Sequence, residues 1–192
     1  MKLALFGYGG HAREVEAQIN ESLVFFVDDQ YSNGIARPIS EFNPKNYKIM
    51  IAVSEPKERQ RISNLLPKET QYFSFIHPTA LVMSDDIEIG EGSFIGAYSI
   101  LTTNIKIGKH TILNRGNQIG HDTKIGDYFS AMPGAIVSGN VIIGDNVYIG
   151  TNSSIREKIH ISSEVKIGAN ACVVKNIQSS GTYVGVPAKK IK

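Results

Sequence analysis

The chain is poor in cysteine, in long apolar runs and in any excess of one charge. A single cysteine, Cys172, among 192 residues excludes an internal disulfide and fits a reducing compartment. Twenty basic against 18 acidic residues leave a net charge of +2, and no basic cluster or aromatic-spaced RNA motif points to nucleic acid. No stretch reaches the roughly 18 consecutive apolar residues of a membrane-spanning helix. The opening MKLALFGYGG is broken by glycines and followed by no cleavage-type region, so no secretory signal is expected. These absences predict a soluble, cytoplasmic chain with no nucleic-acid partner and no membrane insertion. What is present, 42% hydrophobic and 20% charged residues, is ordinary globular composition, long enough for one or two domains.

Two rhythms divide the chain near residue 76. Before it, the apolar runs KLALFGY, LVFFVDD and KIMIAVS alternate with the amphipathic stretches HAREVEAQINE and PKERQRISNLL. That alternation predicts β-α-β-α-β, a half-sized α/β Rossmann-like domain with a parallel sheet over residues 1–76. FIHPTA (75–80) is the joint, with Pro78 starting a new element. Residues 77–192 follow a period of six. Ile-Gly pairs begin at 89, 95, 107, 119, 125, 143, 149 and 167, and the sixteen positions of that column from Met83 to Val173 are all apolar. A hexapeptide period predicts a parallel β-helix of about five coils, on the order of 25 Å tall. The Ile column fills the interior, the small column two residues earlier sits near the corners, and the glycines permit tight turns. Such a repeat specifies a scaffold, not a chemistry.

Two short stretches carry chemistry. GNQIGHDTKIGD (116–127) places His121 two residues after the Ile column, in a phase shared with Glu91, Lys109, Arg115, Asp127 and Asp145, hence facing outward. Asp122 follows at once and can fix one ring nitrogen, leaving the other as a base. Neighbours on a strand point oppositely, so the pair requires a corner or a distorted strand. Alone, His121 reads first as a surface histidine. GYGGHA (7–12), between a strand and a helix, matches G-x-G-x-x-A, with Asp28 about twenty residues on at the end of a second apolar run. The motif suits a pyrophosphate at a helix start, from a dinucleotide or a nucleotide-sugar. Without a hydride-acceptor site an oxidoreductase is disfavoured. His110, His121 and His160 fall in three different phases of the repeat, which argues against a three-histidine zinc site. His110 and His160 are expected on the surface, and His77 at the joint.

GYGGHAREV, FVDD, FIHPTA, GHDTKIGD, PGAIVSGNVIIGDNVYIGTNSSI and GVPAKKIK together resemble the bacterial sugar acyltransferases of the sialic-acid O-acetyltransferase and bacillosamine N-acetyltransferase type, over essentially the whole chain. The resemblance implies a left-handed β-helix, a homotrimer with active sites between neighbouring β-helices, and acetyl-CoA as co-substrate without a metal. It implies His121 as general base, oriented by Asp122. It places the phosphates of a nucleotide-activated amino sugar at Gly9, Gly10 and His11 and the nucleoside at Asp28 and Asp29. For coenzyme A it points to Gly139, Gly150, Gly168, Ala169, Pro187 and Lys189, though single glycines also serve turns. Some family members carry a second histidine nine residues after the base, near the CoA arm; here that position is Ser130. The activity implied is N-acetylation of a UDP- or dTDP-linked 4-amino-4,6-dideoxy sugar for surface glycan or lipopolysaccharide biosynthesis. O-acetylation of sialic acid, or sugar-nucleotide binding without turnover, are the alternatives.

Overall fold

The computed structural model describes residues 1–192. Apolar runs of five residues form the central strands β1 (Lys2–Phe6), β2 (Leu23–Val27) and, later in the chain, β4 (Tyr47–Ile51); the short β3 (Arg37–Pro38) and β5 (Gln71–Tyr72) flank them. The sheet is parallel in the order β3-β2-β1-β4-β5. Both faces are covered, which is why these strands are apolar on successive residues. Leu5, Phe25, Val27 and Met50 pack with Ala12, Val15 and Ile19, from α1 (Gly10–Glu16) and the turn after it. Ala4, Phe6, Phe26 and Ile49 pack with Ile62 and Leu66 at the other face, which belongs to α2 (Pro56–Leu65) and its end. Proline suits the first turn of α2, where no backbone donor is needed.

The change of sheet falls between Tyr72 and Phe75, because Phe75–Ile76 already pairs with Phe94–Ile95. From there two-residue strands stack in parallel into three sheets that form a triangular prism. Every column position from Ile95 to Val173 is at most 5% exposed. Up to Val173 the register breaks once, at the first coil; beyond it the last coil is two residues short, Ile161 facing Ile177. Val82, not Met83, pairs with Leu101, and Val82 and Ile89 are separated by one residue more than the repeat. Met83 is 66% exposed and belongs to the turn, so the unbroken apolar column begins at Ile89.

The turns use a different residue from the one expected. Fourteen consecutive corner positions, every sixth residue from Gly92 to Asn170, have φ between +50° and +72°, and only Gly92, Gly116 and Gly134 among them are glycine. Asn and Asp tolerate this left-handed conformation, and they hold six of the other positions. The glycine after the Ile column serves packing instead. A Cβ on Gly120 would meet the Gly139 backbone nitrogen at 2.5 Å in the next coil.

The N-terminal unit lies on the prism face built from Phe94–Ile95, Ile112–Leu113, Ser130–Ala131 and Tyr148–Ile149. Phe94 and Ile112 join the core beside α1. Lys57–Glu164 and Lys166–Glu55, both at 2.8 Å, cross the junction.

Candidate active site

His121 and Asp122 sit on the edge between the other two faces, following Gln118–Ile119 and preceding Lys124–Ile125. Asp122 has φ +59°. This left-handed residue turns its side chain to the same side as its neighbour's, which answers the geometric requirement of the pair. His121 Nδ1 lies 2.7 Å from Asp122 Oδ2. A carboxylate on Nδ1 draws the ring proton there and leaves Nε2 with its lone pair. Hydrogen bonds from His121 and from Asn104 hold the Asp122 carboxyl below the usual carboxylate range, so it stays ionised at neutral pH. The imidazole is 56% exposed and lies over Gly139 of the next coil, where a Cβ would meet Nε2 at 2.5 Å. The Gly139 N–H donates to no other group in the chain.

The second region is the crevice at the carboxyl ends of the strands. A cavity of about 390 Å³ is lined by Gly7, Tyr8, Gly9, Val27, Asp28 and Glu58 among others, at the point where the strand order reverses, the usual ligand position in open α/β sheets. Gly7 has φ +115°, whereas Gly9 and Gly10 have nothing within 4 Å of a built Cβ. Their small size keeps space open above the backbone rather than serving a turn. A wetter pocket of about 650 Å³ adjoins, lined by Asp28, Asp29, Gln30, Tyr31, Glu58 and Arg61. Arg61 spans it, 2.7 Å from Asp28 and 2.6 Å from Glu58. Asp29 Oδ1 is taken by the Ser40 N–H at 3.0 Å.

Other expected site residues lie elsewhere. The His11 ring turns away from the crevice and stands edge-on to Phe94, 5.9 Å between centroids. Burial lowers its pKa, so it adds no cation for a phosphate. Ser130 is fully buried under α2. Its hydroxyl donates to Ser54 O at 2.7 Å and accepts from Arg59 at 2.9 Å, so it joins the two units instead of reaching a CoA arm. Gly139 shares the His121 edge, but Gly150, Gly168 and Ala169 lie on a different one, after Tyr148–Ile149 and Val165–Ile167. A Cβ on Gly150 would meet the Ala169 nitrogen at 2.5 Å. Pro187 and Lys189 line a cavity of about 300 Å³ with Val174, Ile177 and Tyr183 at the carboxyl end of the prism.

His110, expected on the surface, is 3% exposed. It occupies a corner that faces the N-terminal unit, stacked on Tyr128 (5.2 Å) and edge-on to Tyr72 (4.5 Å), and burial pushes its pKa down to about 4. Beside it is a residue that nothing in the sequence singles out. Arg59, on α2, is 0% exposed. Its Nε donates to His110 O at 2.7 Å, Nη1 to Val53 O at 2.6 Å, and Nη2 to Tyr128 O, Phe129 O and Ser130 Oγ at 2.8–2.9 Å. Burial lowers its pKa to about 9, which leaves it charged at neutral pH. In PKERQRISNLL it is one polar residue among several; only its place opposite a β-helix corner distinguishes it.

One consequence is topological. The N-terminal unit covers one face of the triangle, and His121 stands on the edge opposite that face. A single chain does not bring its crevice to its own imidazole. No helix is long and apolar enough to cross a membrane, and no group of three or more His, Cys, Asp or Glu side chains is placed to hold a metal ion.

Two family models match the chain: the PglD N-terminal domain over residues 2–66 and the bacterial transferase hexapeptide (six repeats) over residues 122–157. A GDP-perosamine N-acetyltransferase of Escherichia coli O157:H7 is 29% identical over 156 residues, 71% of this chain and 70% of that protein. The acetyltransferase domain of PglB from Neisseria gonorrhoeae FA1090 superposes with a TM-score of 0.89 at 29% identity over 99% of both chains. The same domain has been solved in complex with acetyl coenzyme A (TM-score 0.74, 28% identity, 99% of this chain and 98% of that one). WeeI from Acinetobacter baumannii AYE matches equally well (0.89, 29%, 99% of both). The prism is accordingly a left-handed β-helix, and the chain joins a PglD-type N-terminal domain to bacterial transferase hexapeptide repeats, similar over nearly its whole length to the acetyltransferases just named.

Proposed function

We propose that this hexapeptide-repeat acyltransferase moves an acetyl group from acetyl-CoA to the amino group of a nucleotide-linked 4-amino-4,6-dideoxy sugar, with His121 as general base. The observation that carries the reading is the imidazole itself: exposed, held at Nδ1 by an ionised carboxylate, with Nε2 free above Gly139. The neutral sugar amine attacks the thioester carbonyl carbon. As the C–N bond forms, the amine proton passes to Nε2, a transfer worth about 10²–10⁴-fold in rate. The carbonyl oxygen becomes an oxyanion, for which the unpartnered Gly139 N–H is the available donor. Collapse breaks the C–S bond, and the imidazolium returns its proton to the departing thiolate. Asp122 stays ionised throughout and steadies the imidazolium.

The crevice supplies the sugar-nucleotide site, with pyrophosphate over Gly9 and Gly10 and the nucleoside toward Asp28 and Asp29. His11 and Ser130 drop out of direct contact with the substrates. Among UDP, dTDP and GDP, which the sequence leaves open, similarity to a GDP-perosamine enzyme favours GDP. Since the crevice and His121 lie on opposite sides of one chain, the reading requires a neighbouring chain to complete each site, and a homotrimer meets that need. Coenzyme A would then run between two prisms, His121 and Gly139 on one side and the edge of Gly150, Gly168 and Ala169 on the other, toward Pro187 and Lys189. A supply of acetyl-CoA assigns the reaction to the cytoplasm.

The test is thiol release from acetyl-CoA with a panel of GDP-, UDP- and dTDP-linked 4-amino sugars, products identified by mass spectrometry. Turnover on one member is expected. Acetylation of sialic acid hydroxyls instead, or nucleotide-sugar binding without turnover, would overturn the reading.

A further inference from the structure

The edge that carries His121 uses its acidic and amide residues differently from the next edge of the prism. On that next edge the coils are tied through backbone donors. Asp127 Oδ1 accepts the Lys109 N–H at 2.8 Å, Asp145 Oδ1 the Asp127 N–H at 2.8 Å, and Ser163 Oγ the Asp145 N–H at 3.0 Å. Each bond joins one coil to its neighbour and does nothing more. Asp122 accepts no backbone N–H. Its Oδ2 meets His121, and its Oδ1 accepts Asn104 Nδ2 at 2.6 Å. Asn104 lies one coil below, eighteen residues earlier, at φ +50°. Facing a carboxylate, its amide must present nitrogen, not oxygen. Asn104 is fixed in turn from the coil beneath it: Asp86 Oδ1 accepts the Asn104 N–H at 2.8 Å, and both Asp86 oxygens accept from Thr103 Oγ1 at 3.1–3.3 Å. The extra residue of the first coil falls between Val82 and Asp86 and leaves Asp86 one full coil below Asn104.

We propose that Asn104 is a positioning residue for acetyl transfer: its amide pins Asp122 so that the carboxylate is committed to His121 Nδ1 and Nε2 remains the free base, while Asp86 sets the turn that aims the amide. The proposal rests on His121 being the base. A carboxylate with one oxygen held cannot rotate freely off the imidazole, and the donated N–H also keeps it ionised. The column Asp86, Asn104, Asp122 thus runs up the edge as a chain of hydrogen bonds ending at His121 Nδ1, across the ring from the reacting Nε2. The other charged groups along this edge are Asp85 beside Asp86, Arg156, Glu157 and Lys158 two coils above His121, and Lys175 beyond them, with Lys106, paired with Glu88, and Lys124 on the strands that follow.

Two substitutions separate this role from simple stacking. Asn104→Gly keeps a residue suited to positive φ and removes the amide. Asn104→Asp keeps the shape and replaces the donor with an anion. Both are compared with the unmodified protein, and with His121→Ala, for kcat, KM and pH profile. The His121 ring tautomer is read by ¹⁵N NMR of imidazole-labelled protein. Asn104→Gly is expected to lower kcat about 3- to 30-fold with both KM values and Tm nearly unchanged, and to turn a single Nδ1–H tautomer into a mixture. Asn104→Asp should move the acid limb of kcat/KM to higher pH, because a second carboxylate favours the imidazolium. Wild-type rate, pH limb and tautomer in both variants would overturn the proposal. Full activity in His121→Ala would instead remove the base assignment, and the tautomer measurement would still decide whether Asn104 holds the pair.

Discussion

At the scale of single residues, chemistry and stacking meet at Gly139. A methyl group there would strike the His121 ring, an exposed side chain that can swing aside. Gly139→Ala is therefore expected to lower kcat at least about tenfold by displacing the base, while Tm stays within about 3 °C, since no core packing is lost. Loss of stability matching the loss of rate would contradict this. The His121–Asp122 pair was legible in GHD through the carboxylate next to the ring together with the resemblance, since the histidine alone reads as surface. What made the pair possible, the left-handed turn at Asp122, was not. Positive φ leaves no mark in composition when Asn, Asp, Tyr, Lys and Glu all occupy it. The role assigned to the Ile-following glycines failed for a related reason: they answer to the coil above them, a contact one full coil away in sequence, as between Gly120 and Gly139.

At the scale of elements, α2 is the joint. Glu58 and Arg61 face the crevice pockets, while Arg59 reaches into the β-helix corners and Ser63 meets Tyr128 at 2.8 Å. Replacing Arg59 with Lys keeps a cation but loses the fork, leaving several buried carbonyls without a donor. The expected cost is about 2–4 kcal/mol in chemical denaturation, and an unchanged midpoint would show the clamp to be idle. His110, beneath it, gives a pH signature. Its folded pKa of about 4 lies below the ordinary 6.5 because burial and the nearby Arg59 disfavour the imidazolium; Glu91 and Asp127 oppose this and Lys109 adds to it. The unfolded chain therefore takes the proton first, and stability falls as pH drops from about 6.5 toward 4, by on the order of 3 kcal/mol. His110→Asn, which tolerates the left-handed turn, should flatten that slope whatever it does to stability at neutral pH. An identical slope would contradict the assignment. The strands and helices of the first unit were readable from alternating apolar and amphipathic runs. The burial of Arg59, His110 and Ser130 was not, since it depends on which prism face receives the first unit.

At the scale of the whole molecule, the period of six predicts a prism but not its orientation against the N-terminal unit. That orientation puts the nucleotide crevice and His121 on opposite sides of one chain. Light scattering is expected to report three chains, and mixed assemblies of His121→Ala with Gly9→Phe, whose ring would fill the crevice, should regain acetyl transfer that neither variant has alone. A fully active monomer, or mixtures as inert as their components, would contradict sites shared between chains. The most direct test of the central claim is kcat/KM for acetyl transfer to the preferred nucleotide-linked amino sugar, wild type against His121→Ala. A fall of about 10²–10⁴-fold with sugar-nucleotide binding intact is predicted for loss of the general base. A variant within about threefold of wild type would show that the imidazole on the prism edge does not carry the proton.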